Sequence, residues 1–238
     1  MTTKNRLKIW LGRRLITPLV NIFLENLEFL VKKNNFIRKK ADKDIFLWDA
    51  REFIRANGIK GDYYEFGVYK CRTFTKAMKI LPPYVRHYHG FDSFKGLPKF
   101  RKGDRHPNWR PESMKSSYDA EYFKNQLISQ GFKQEKFSLV EGFFENTLSA
   151  YKFFQKASVL FIDCDIVSSL KTVLDFIPSL LQDGTLIYMD DFFLYKGNPN
   201  SGQQKVFFDF CAKQNDFQFS EYNNYPPFAK AFIANKIK

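Results

Sequence analysis

The sequence predicts an α/β fold with a mostly parallel central sheet and helices on both faces, and three observations carry the prediction. Two apolar runs, residues 159–162 and Thr185–Met189, have the unbroken hydrophobicity of strands buried on both faces. Between them Leu170, Val173, Leu174, Ile177, Leu180 and Leu181 recur at helical spacing, so a helix crosses from one strand to the next and the strands run parallel. Strand-like and helix-like stretches alternate from Asp62 onward. The last two strand-like stretches are joined by a short link, which makes them a late antiparallel hairpin.

Taken in order, residues 1–44 form a basic, amphipathic N-terminal extension. Thr17 is its N-cap, Pro18 takes the first helical position, and Leu19, Phe23, Leu27, Leu30 and Val31 make an apolar stripe. Asn21, Glu25, Asn26 and Glu28 interrupt any run long enough to span a bilayer, and no small-residue cleavage site follows a clean hydrophobic core. The extension is expected to pack on the main domain or on a second subunit, giving a homo-oligomer. The alternative is reversible attachment to an anionic membrane surface through its basic clusters.

The main domain, 45–238, opens with a helix through Phe46, Leu47, Ala50, Phe53 and Ile54 that stops at Asn57-Gly58. A first strand is expected at 62–68, a turn from Gly67 to Cys71, a helix at 73–81, and a short second strand at 86–91 ending in Asp92-Ser93. Residues 95–118 are polar, carry Pro and Gly, lack periodicity and are too long for a plain connector, so they read as a lid. A helix at 119–130, a strand at Phe137–Glu141, a turn from Gly142 to Leu148, a helix at 203–213 and strands at 217–222 and 229–234 complete the pattern.

Length and composition narrow the class. A chain of 238 residues that is 44% hydrophobic suits one domain with a full core plus an extension. Cys71, Cys164 and Cys211 show neither a paired nor a metal-ligand spacing, so free thiols and a reducing, cytoplasmic setting are expected. The net charge is +13, but residues 1–43 hold eleven of the basic residues against three acids, so the excess lies in the extension and not at the sheet edge. With no aromatic-basic RNA module, a nucleic-acid partner is disfavoured.

The acids are the chemical signal. One apolar run ends in Asp163-Cys164-Asp165 and the other in Asp190-Asp191, and parallel strands deliver all four carboxylates to the carboxyl edge, where open α/β sheets bind ligands. Strand-end acids facing water would explain one such pair. Two pairs brought together repel, which invites a divalent cation or raised pKa values. Asp92 ends the second strand one crossover after a Gly-containing turn, the placement that grips ribose hydroxyls in nucleotide-type sites. There is no G-x-G-x-x-G and no P-loop, so a dinucleotide pyrophosphate is disfavoured. In the lid, Lys99, Arg101, Lys102, Arg105 and Arg110 accompany Trp109, a set suited to an anionic or nucleotide-linked acceptor with Trp109 stacked on a sugar ring; a solvated loop is the competing reading. His87 and His89 alternate in a strand and read as structural, while His106 lies in the lid.

Five segments in this order, Glu65-Phe66-Gly67-Val68-Tyr69, Phe91-Asp92-Ser93-Phe94-Lys95-Gly96-Leu97-Pro98, Gly142-Phe143-Phe144-Glu145-Asn146-Thr147-Leu148, Asp163-Cys164-Asp165 and Asp190-Asp191-Phe192, resemble the successive motifs of the macrocin O-methyltransferase (TylF/MycF-like) family. The resemblance covers residues 61–192 and implies a Rossmann-like class I methyltransferase fold. It implies S-adenosylmethionine as methyl donor, a divalent metal, usually Mg2+, and sugar hydroxyls as acceptors. Carried over by position, Glu65 and Gly67 would line the methionine end of the donor, Asp92 and Ser93 would hold its ribose, and Gly142 and Phe143 would flank its adenine. Asp163, Asp190 and Asp191 match the metal ligands, and Asp165 matches the general base. The sequence departs from the pattern at Cys71 and Arg72, where the family has glycines, and at Val167, Ser168, Ser169 and Leu170, where Tyr, Glu and Ser-Thr tend to follow the Asp-x-Asp.

The chemistry agrees with the residues independently. A sugar hydroxyl is a poor nucleophile at neutral pH; a hard cation held by carboxylates lowers its pKa and fixes its direction, and a neighbouring carboxylate takes the proton. Two other classes compete: a silent binding protein that keeps the methyltransferase fold, and a methyltransferase acting on another acceptor such as nucleic acid.

Overall fold

Seven strands form one sheet in a computed structural model that describes residues 35–152 and 155–237. Five are parallel: β1 (Gly61–Phe66), β2 (Val85–Asp92), β3 (Phe137–Glu141), β4 (Ala157–Ile162) and β5 (Thr185–Met189). β6 (Phe217–Tyr225) and β7 (Ala229–Lys236) make the expected hairpin, with β7 antiparallel to β5, and the order across the sheet is β3-β2-β1-β4-β5-β7-β6. The helices are α1 (Asn35–Ala56), α2 (Arg72–Ile80), α3 (Ala120–Ser129), the short α4 (Phe144–Thr147), α5 (Val167–Phe176) and α6 (Gly202–Cys211). The sequence-predicted helix at Thr17 and the contacts expected of the extension lie outside the described residues. No helix among the described residues is long and apolar enough to cross a membrane.

Strand parity divides the core in two. Tyr63, Val159, Phe161, Leu186 and Tyr188 point to one face, where α1, α2 and α3 supply Phe46, Leu47, Ala50, Ile54, Phe74, Ala77, Phe123 and Leu127. Tyr64, Phe66, Leu160, Ile162, Ile187 and Met189 point to the other, covered by Leu170, Val173 and Leu174 of α5 and Phe207 of α6. Both central strands are buried at every position, which is why their sequence shows no polar alternation.

α1 begins at Asn35, well before the helix expected from Ile45. The basic run of 38–43 hid its start, because a helix with charged residues on most positions carries no readable apolar stripe. Strand order reverses between β1 and β4, so the topological switch point lies where these two strands end.

Candidate active site

Backbone hydrogen bonds continue one step beyond the strands and bring five tips into line. The Gly142 N–H donates to the Asp92 carbonyl at 2.9 Å, Gly67 N–H to Phe91 at 2.9 Å, Asp163 N–H to Phe66 at 2.8 Å, and Asp190 N–H to Ile162 at 3.0 Å. The predicted positions Gly67, Asp92, Gly142, Asp163 and Asp190 therefore share one edge. Gly67 has φ +95°, and a Cβ there would lie 1.9 Å from the Asp163 carbonyl oxygen, so only glycine lets the end of β1 pass the end of β4.

On the β1–β2 side, Glu65 is 1% exposed and accepts a hydrogen bond from the Tyr63 hydroxyl. Burial pushes its carboxyl up to about 8, against the opposing influence of Tyr63 and of Lys43. Asp92 accepts from the backbone N–H of Tyr69 at 2.8 Å and of Phe94 at 2.6 Å, so it clasps the loops that follow β1 and β2. Burial raises its pKa too, and those amides oppose the rise. The Ser93 hydroxyl, expected at the donor ribose, donates to the Gly96 carbonyl at 2.8 Å and accepts from Lys95 N–H at 3.1 Å, so it serves the turn into the lid. Gly142 sits at φ +142°, and half-buried Phe143 leads into α4. Cys71 occupies the left-handed region at φ 59°, the conformation that glycine would adopt at no cost. The departure at Cys71 thus keeps a glycine-like backbone shape, at an expense of about 1–2 kcal/mol.

The acids converge. Asp163, Asp165 and Asp191 each place one carboxylate oxygen within 4.8 Å of the others. Asp165 lies in the left-handed region at φ 61°, and its carbonyl accepts from the Nε2 of buried Gln203 on α6 at 3.1 Å. Asp190, expected as a metal ligand, accepts from the Tyr188 hydroxyl at 3.2 Å, and its other oxygen lies 3.2 Å from Lys43 Nζ. Lys43 also pairs with Asp163, and its ammonium lies 5.5 Å from the centre of the Phe161 ring. Burial depresses the Lys43 pKa, but Asp163, Asp190 and Asp191 outweigh that and raise it overall, so the side chain stays charged.

Sequence reasoning missed Lys43, although a signal was available. With Phe46, Leu47 and Ala50 it completes the i, i+3, i+4, i+7 stripe of α1, so a cation occupies a core-facing position. Parity supplies its partners: Glu65, Asp163 and Asp190 follow Tyr63, Phe161 and Tyr188 two residues on and share the face that α1 covers. His87 and His89 are structural as expected, His87 lying 2.9 Å from Ser138 Oγ and His89 between Asp62 and Tyr151 at 3.0 and 2.8 Å.

Residues 95–118 contain no regular helix or strand, but they are tethered. Asp104 is fully buried and accepts from Ser168 N–H at 2.7 Å, Ser168 Oγ–H at 2.8 Å and Arg101 N–H at 2.6 Å. The Tyr195 hydroxyl donates to the Asp104 carbonyl at 3.3 Å, and the His106 ring lies 4.9 Å from that of Tyr195. Ser168, one of the departures after the Asp-x-Asp, is therefore the residue that fastens the lid to the first turn of α5.

Several solved structures share this architecture. The O-methyltransferase NovP matches with a TM-score of 0.67 at 17% identity, covering 82% of this chain and 80% of its own. CalS11, a calicheamicin methyltransferase also described as a TDP-rhamnose 3'-O-methyltransferase, matches at 0.67 and 18% identity, covering 87% and 85%. The O-methyltransferase TomG from Streptomyces achromogenes, solved in complex with S-adenosylmethionine, matches at 0.53 and 14% identity, covering 82% and 79%. A comparison with curated protein sequences finds no match. The profile of the family described as Macrocin-O-methyltransferase (TylF) matches residues 45–206, from α1 into α6 and across every strand tip of the site. The chain belongs to the macrocin-O-methyltransferase (TylF) family and is an S-adenosylmethionine-dependent O-methyltransferase.

Proposed function

We propose that the protein transfers the methyl group of S-adenosylmethionine to a hydroxyl of a sugar or glycan-type acceptor, with the help of a divalent cation. One observation carries the reading: Asp163, Asp165 and Asp191 converge within 4.8 Å beside the β1–β4 switch point, where Glu65 and Gly67 stand at the end of β1. The description of CalS11 as a TDP-rhamnose methyltransferase supports the sugar acceptor.

The donor set fits Mg2+, a hard cation that is usually bound through one or two carboxylates and keeps positions for water and substrate oxygens. Asp163 and Asp191 would hold it. When bound, such a cation lowers the pKa of a sugar hydroxyl and fixes its direction. Asp165, less buried than Asp190 and Asp191, takes the hydroxyl proton as general base. Lys43 neutralises part of the charge on Asp163 and Asp190, which lets four acids fold onto one edge before any ligand arrives. Glu65 lines the methionine end of the donor, and Asp92 shapes the donor loops through the Tyr69 and Phe94 amides. The free thiols of Cys71, Cys164 and Cys211 support a reducing, cytoplasmic setting.

The test combines metal titration with turnover, using TDP-rhamnose as the first acceptor. Asp163→Asn and Asp191→Asn are expected to weaken Mn2+ binding, followed by electron paramagnetic resonance, and to lose activity in parallel. Asp165→Asn is expected to keep metal and donor affinity while turnover falls by roughly a hundred- to ten-thousandfold. Full activity in EDTA would remove the metal from the mechanism, and loss of Mn2+ binding in Asp165→Asn would move that residue into the ligand set.

A further inference from the structure

The lid carries an open pocket of about 500 Å3 lined by Phe100, Arg105, His106, Trp109 and Arg110 together with two prolines. Arg105 and Arg110 have no ion-pair partner among the described residues, whereas Arg101 and Lys95 of the same segment reach Glu145 at 3.4 Å and Glu141 at 3.7 Å. Both arginines line the pocket and are exposed. The Trp109 Nε1 is buried with no hydrogen-bond acceptor, a second and independent sign of a missing partner. Aromatic and imidazole rings supply the remaining walls.

The cavity is not free to drift from the acids. Asp104, immediately before Arg105, is held by the backbone and hydroxyl of Ser168, which lies three residues after Asp165 in the first turn of α5. His106 packs at 4.9 Å on Tyr195, whose hydroxyl returns to the Asp104 carbonyl. Through Asp104 and Ser168 the pocket is therefore fastened to the segment that carries Asp165.

We propose that this lid pocket is an oxyanion subsite that takes the phosphate group of the methyl acceptor, so that the substrate is a phosphorylated or nucleotide-diphosphate-linked sugar. Planar guanidinium groups bind phosphate oxygens bidentately, and an indole N–H adds a further donor, while the rings can cover a sugar or base face. The inference rests on the sugar-methyltransferase reading and adds the charged end of its substrate.

Calorimetry on the full chain loaded with S-adenosylhomocysteine tests it with four probes: inorganic pyrophosphate, glucose 1-phosphate, uridine diphosphate and methyl glucoside. The three phosphates are expected to bind and the neutral glycoside to bind far more weakly. Arg105→Ala and Arg110→Ala should each weaken phosphate binding by about ten- to a hundredfold, the loss typical of a charge-assisted hydrogen bond. Affinity for S-adenosylhomocysteine should stay unchanged. Uridine diphosphate binding well above glucose 1-phosphate supports the nucleotide-linked source, and equal binding of the two supports a sugar phosphate. Wild-type protein that binds S-adenosylhomocysteine and ignores all three phosphates would overturn the subsite while leaving the methyltransferase reading intact. Phosphate binding indifferent to both arginine substitutions overturns it as well. Phosphate binding that needs the arginines, in a protein that fails to bind S-adenosylhomocysteine, supports the pocket and overturns the transferase reading instead.

Discussion

Glu65 shows how one buried side chain links fold to function. Its carboxyl is pushed up to about 8 by burial, while an unfolded chain titrates near the ordinary value of 4.5. Between these values the unfolded chain gives up a proton that the native state retains, so the native state binds more protons and stability falls as pH rises. The neutral side chain contributes fully below the ordinary pKa, and the contribution is lost as pH passes about 8. The slope for one such group is at most about 1.4 kcal/mol per pH unit. Urea unfolding of wild type and Glu65→Gln between pH 5 and 8 should show a flatter profile for the variant. Parallel profiles would mean that Glu65 is ionised throughout.

Among elements, the lid is the one whose character changed on folding. Its composition, rich in Pro, Gly and Lys or Arg, reads as a mobile flap, yet the fully buried Asp104 gathers three donors from Ser168 and Arg101 and ties the flap to α5. Removing that carboxylate strands buried donors, at a cost of about 1–3 kcal/mol for unsatisfied groups of this kind. Asp104→Ala should therefore lose stability by that order in chemical denaturation and become cleavable within 99–117. Asp104→Asn, which keeps one acceptor oxygen, should lie between variant and wild type. An Asp104→Ala protein with unchanged protease resistance would show that the lid holds by other contacts. α1 teaches the converse lesson: its apolar stripe was legible from Phe46 onward, and its role in the site was not, because Lys43 only acquires meaning once β4 and β5 place Asp163 and Asp190 beneath it.

At the scale of the whole molecule, a chain of net charge +13 carries an acidic ligand edge. Like charges concentrated there oppose the folded state, and a cationic ligand such as the sulfonium donor relieves them. A ligand at a hundred times its Kd stabilises the native state by about 2.7 kcal/mol. For a domain of this size that corresponds to a Tm increase of roughly 5–11 °C. Thermal melts with saturating S-adenosylmethionine should show that shift, and a Tm that does not move with donor would remove the donor assignment.

Most of the architecture was readable because its causes are local or periodic. Two unbroken apolar runs, a helical stripe between them and acids at both ends require parallel strands and place the acids on one edge, and β3 and β5 fall on the predicted residues. The motif order named the family for the same reason: each motif is a strand tip and the turn after it. Tertiary structure alone decided which of those acids meet. Asp165 and Asp190 are both strand-end acids, but one lies in a left-handed turn held by Gln203 and joins Asp163 and Asp191, while the other is taken by Lys43 and Tyr188. It also decided that Ser93 serves a turn, that Ser168 fastens the lid, and that Arg105, Trp109 and Arg110 line one open pocket. Each of these outcomes depends on contacts between residues far apart in the chain. Periodicity reports which face a residue occupies, and only packing reports what lies opposite it.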